Sequence, residues 1–139
     1  MAILHLNSHD YISKIRMPSG QTAEIIFEAY TSENNEHTYF WVVLDVYHKR
    51  KQRDENVLKQ TGKDGIQTLL WAKKQIIEFE ELLLEGHISW LKENVYIALG
   101  WEDNRRRRVY ERGLRDIGFR YEYSSDVWDG KKVLLKKIK

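Results

Sequence analysis

The chain has 139 residues, 42% apolar and 32% charged, a composition that suits one packed domain and excludes a disordered one. Its 23 basic and 21 acidic residues leave a net charge of only +2, so any polyanionic partner must be met by a local cluster. There is no cysteine, which excludes disulfides, thiolate metal sites and a cysteine nucleophile.

No apolar run approaches the roughly 20 residues that cross a bilayer. The opening "MAILHLNSHDY" lacks both the basic start and the apolar stretch of a signal peptide. A cytoplasmic protein without membrane contact is therefore expected, with residues 1–139 as a single domain.

In chain order, residues 11–17 alternate loosely and end at the turn "PSGQ". Residues 23–30, "AEIIFEAY", are rich in strand formers. "TYFWVVLDVYH", residues 38–48, has six apolar residues in a row from Tyr39 to Leu44, the pattern of a strand covered on both faces. These three segments predict an antiparallel meander whose last strand is central. From Ile66 onward, Leu69, Leu70, Ile76, Ile77, Leu83 and Leu84 recur at helical spacing, with Thr61 or Asp64 able to cap the start and Gly86 the end. "NVYIALGW" predicts a short buried strand. A second helix follows, with Val109, Tyr110, Gly113, Leu114 and Ile117 on one stripe and Gly118 as its stop. Residues 119–124 alternate as a strand, and "WDGKKVLLKKI" predicts a turn and a last strand. The order β-β-β-α-β-α-β-β implies an α+β fold with a mixed, mostly antiparallel sheet and helices packed on it.

The loop and helix "GKDGIQTLLWAKK", the segment "VYERGLRDIGFRYEYS" and the final "WDGKKVLLKKI" resemble the GNAT-type N-acyltransferase superfamily. The resemblance covers roughly residues 38–139 by element order and about thirty residues by motif. It implies a core of β-meander, glycine loop with helix, strand, second helix and closing strand pair. It implies acetyl-CoA as cofactor, its pyrophosphate held by Gly62, Lys63, Gly65, Ile66 and Gln67. It also implies acyl transfer to an amine, with Asp45 as base and Tyr110 as acid toward the thiolate. The family's Gln/Arg-x-x-Gly-x-Gly/Ala pattern is incomplete in either register. With its first glycine on Gly65, Gly62 stands in the Gln/Arg slot and Gln67 in the small-residue slot. Started from Gln60, the pattern puts Lys63 on its first glycine. The two N-terminal helices that shape the family's acceptor site have strand-like sequence in their place.

Independently of that resemblance, Arg105, Arg106, Arg107 and Arg108 stand at the start of the second helix, where cations oppose the helix dipole. Arg112 and Arg115 continue the basic face. Either Glu102, Asp103, Glu111 and Asp116 neutralise them or an anion does. Arg50 and Arg53 lie in a second basic cluster within residues 49–63. Together these residues point to a non-enzymatic role in binding nucleic acid or an acidic protein, with N-acetyltransfer as the alternative. His5 and His9 have the four-residue spacing of metal ligands on a helix, but the segment is not convincingly helical, so no metal is assigned. Trp71 and Trp128 are candidate interface residues, and self-association stays open.

Overall fold

The two longest apolar segments form the spine of the sheet. β3 (Thr22–Ser32) and β4 (His37–Tyr47) pair antiparallel from Thr22↔Tyr47 to Thr31↔Thr38. The turn between them closes on Ser32, whose hydroxyl donates to Asn34 Oδ1 at 2.6 Å and accepts the His37 N–H at 3.1 Å. The structure, a computed structural model, describes residues 3–47, 65–100, 104–123 and 132–139.

β1 (Ile3–His5) pairs antiparallel with the end of β3, and β2 (Tyr11–Arg16) with its beginning. The 3-10 turn Asn7–His9 separates them, so both share one edge of β3. On the other side, β4 pairs parallel with β5 (Asn94–Leu99). β5 then pairs antiparallel with β7 (Lys132–Lys137), and β7 with β6 (Arg120–Tyr123). The sheet order is β1-β3-β4-β5-β7-β6, with β2 beside β3. Among the described residues the fold is α+β, an open, mostly antiparallel mixed sheet of seven strands with two helices. The parallel step needs a crossover, which contains α1 (Gly65–Leu84). α2 (Asn104–Leu114) and the 3-10 turn Arg115–Ile117 connect β5 to β6. The expected order lacks β1, because a three-residue strand has no period to read and exists only through its pairing with β3.

Side-chain alternation sends Ile25, Phe27 and Ala29 of β3, Phe40 and Val42 of β4, and Val95, Ile97 and Leu99 of β5 to one face. α1 covers that face with Thr68, Ala72, Ile76, Phe79 and Leu83, all buried. This stripe is rotated from the expected one, since Leu70 and Leu84 are 61% and 59% exposed. Aromatic packing sets the roll of the helix. The Phe79 ring stacks on Phe27 at 4.1 Å and meets Phe40 edge-on at 4.8 Å, while the small Ala72 and Thr68 lie against the sheet. Each buried Ile, Leu or Phe of this stripe contributes about 1.5–3 kcal/mol of apolar burial.

α2 is held differently. Leu114 is buried, Tyr110 and Ile117 pack half-buried against the core, and Gly113 is exposed. Gly118 ends the segment at φ 99°, in the left-handed region, and turns the chain so that Phe119 enters the core.

Candidate functional site

The arginine-rich segment carries most of the local charge. Residues 104–117 hold six arginines against two carboxylates, an excess of four, so the rest of a +2 chain is net negative. No acidic residue stands in the first turn of α2. The described side chains begin at Arg108, and Arg108, Arg112 and Arg115 are all exposed. Their spacing of four and three residues places them along one side of the segment. No ion pair to any of the three occurs among the described residues. Asp116, expected to help neutralise them, is engaged elsewhere. Its carboxylate accepts from Lys73 Nζ of α1 at 2.8 and 2.9 Å, and that hydrogen bond holds its pKa below the ordinary carboxylate value. Arg120 adds an exposed guanidinium beside the turn, donating to the Arg115 and Phe119 carbonyls at 3.0 and 2.9 Å. The sequence hid Arg120 inside an alternating strand.

Arg105, Arg106 and Arg107 lie in α2 ahead of this face. Arg50, Arg53, Gly62 and Lys63 lie outside the described residues, as do Glu102, Asp103, Trp101 and Trp128. Gly65 and Ile66 open α1, and Gln67 is exposed in its first turn. Immediately behind Gln67, Thr68 is fully buried and its hydroxyl has no hydrogen-bond partner among the described residues. Helical spacing puts Thr68 one turn before Ala72 on the covered stripe, a signal that an apolar-only pattern passes over.

The parallel pairing of β4 with β5 ends at Trp41↔Ala98, one residue before β5 itself ends, while β4 continues to Tyr47. The crossover returns the chain to the beginning of β5, so α1 starts at the end where this pairing stops. An acyl-CoA arm in the implied fold would enter between these two strands. The Trp41 indole already lies across that point. A Cβ on Gly100 would come within 2.5 Å of its Cη2 and 2.7 Å of its Cζ2. Gly100 is therefore the close-approach glycine for this ring, and the residues present do not fit an inserted cofactor arm with Trp41 where it stands.

Asp45 and Tyr110 are not brought together. Asp45 is buried on β4 opposite the buried Glu24, whose Oε2 accepts from Tyr47 Oη at 3.1 Å and lies 3.4 Å from Lys14 Nζ. The register puts this polar group on the sheet face away from α1, whereas Tyr110 packs against the core on the α1 side. The same outward face carries Tyr39 stacked on Tyr96 at 5.1 Å, with burial pushing the Tyr39 phenol pKa up. It also carries Glu28, with Tyr30 stacked on His5 at 4.8 Å. His9 takes no part there; its ring stacks on Trp90 at 4.4 Å.

No protein-family model, no curated protein and no solved structure matches the chain.

Proposed function

We propose that this is a GNAT-like binding module that uses the arginine face of α2 to hold a polyanion, either nucleic acid or an acidic protein surface. The observation that carries this is the set Arg108, Arg112 and Arg115, exposed on one side of a segment with an excess of four positive charges and no acid in its first turn. The free N–H groups and dipole of a helix start favour an incoming anion. Guanidinium forks suit phosphate and carboxylate oxygens. Arg105, Arg106 and Arg107, with Arg50 and Arg53 of the connector, are the further basic residues proposed for this role. The GNAT-like part of the proposal is supported by the succession of meander, crossover helix, parallel strand, second helix and closing strand pair.

Fluorescence anisotropy with duplex DNA, single-stranded DNA and an acidic peptide, each at low and high salt, tests the proposal. Affinity that falls steeply with salt supports it, and the probe that binds tightest names the partner class. Absent or salt-insensitive binding to all three overturns it.

A second reading is acetyl-CoA-dependent transfer to an amine, favoured by the parallel pair of β4 and β5 whose pairing stops next to the start of α1. Trp41 over Gly100 weighs against it. Thermal unfolding with millimolar acetyl-CoA separates the readings, since a cofactor at 100 times its Kd stabilises by about 2.7 kcal/mol. An unchanged Tm removes the transferase reading.

A further inference from the structure

We propose that His5, Asp10 and Glu28 form a site for one divalent cation of the borderline class, with zinc as its probe. The three residues come from β1, the turn before β2, and β3, and their ligand atoms all lie within 4.8 Å of one another. His5 Nε2 is 3.1 Å from both Asp10 Oδ1 and Asp10 Oδ2. A metal bonded at about 2.1 Å to two neighbouring ligands holds them roughly 3.0–3.4 Å apart, so this pair already has the required spacing. Rotation of the Glu28 side chain completes the third bond.

Each ligand is set by contacts outside the trio. The His5 ring is stacked on Tyr30, with the ring planes 21° apart. Asp10 Oδ1 accepts the Ala29 N–H at 2.9 Å, which anchors the carboxylate to β3. The His5↔Tyr30 pairing puts His5 and Glu28 on the same face of the sheet.

Charge makes the independent case. Asp10 and Glu28 bring two negative charges together, and no lysine or arginine among the described residues pairs with either. A protonated His5 would offset one of them; a divalent ion offsets both. One imidazole with two carboxylates selects zinc, manganese, iron or cobalt over calcium or magnesium. His5 is exposed, which leaves an entry path and further positions for water. The third ligand was illegible in sequence because it arrives through the pairing of β1 with β3.

The full chain, stripped with chelator, is titrated with zinc chloride by calorimetry and with cobalt chloride by its visible absorption. One equivalent is expected to bind. His5→Gln and Glu28→Gln should each weaken binding at least tenfold, and His9→Gln should leave it unchanged. Both ligand variants alter side chains without removing a strand residue, and circular dichroism checks that each is folded. If either fails to fold, the other carries the test. No stoichiometric binding by the parent chain, or binding by the folded variants as tight as the parent's, overturns the site.

Discussion

The two helices are made from opposite materials. α1 spans 20 residues and buries Thr68, Ala72, Ile76, Phe79 and Leu83 against the sheet. α2 spans 11, and Leu114 is its one buried residue among the described side chains. Packing accounts for the sequence of α1, because moving its stripe would expose Phe79 and open the aromatic cluster with Phe27 and Phe40. Packing does not account for Arg108, Arg112 and Arg115, which are all exposed, and the dipole disfavours the run of arginines in the first turn, which holds no acid. Residues that folding does not require are where a binding role is to be sought.

Substitutions can sharpen or break this contrast. The largest effect on stability is expected at Phe79→Ala, which removes the ring at the centre of the packing between α1 and the sheet and should cost about 3–5 kcal/mol in denaturant unfolding. Gly100→Ala places a methyl against the Trp41 indole and should cost about 1–3 kcal/mol, less if the half-exposed ring swings aside; a shift in Trp fluorescence reports that movement. Leu70→Ala, on the exposed side of α1, should stay within about 0.5 kcal/mol of the parent. A loss there as large as at Phe79 would mean the helix is rolled differently. Smallest is the pH effect of Asp116. Its folded pKa is lowered, so its pairing with Lys73 stabilises above the unfolded pKa, and the gain is lost as pH falls through the folded one. At 69% side-chain exposure the effect should be slight, and it should vanish in Asp116→Asn.

Much of the sheet was legible because β3 and β4 carry long β-branched and aromatic runs, and Gly118 marks the turn into β6 by composition alone. The roll of α1 was not legible. Leu69, Leu70 and Ile77 offer an apolar stripe as plausible as the true one, and only the position of Phe27 and Phe40 across the sheet decides between them. The arginine cluster was visible as a string, but the lack of an ion pair on Arg108, Arg112 and Arg115 among the described residues was not. That depended on Asp116 turning to Lys73, 43 residues away. The separation of Asp45 from Tyr110 was equally hidden, since it follows from strand parity and from which face the second helix takes.

The most direct test of the arginine face is the salt dependence of nucleic-acid binding, measured for the parent chain and for the triple variant Arg108→Gln, Arg112→Gln, Arg115→Gln. The slope of log K against log salt should be negative for the parent. In the variant it should be shallower by about 0.9 for each duplex-DNA phosphate that the removed arginines neutralise in the parent, with Tm nearly unchanged. A variant that binds duplex DNA with the parent's slope and affinity would contradict the account.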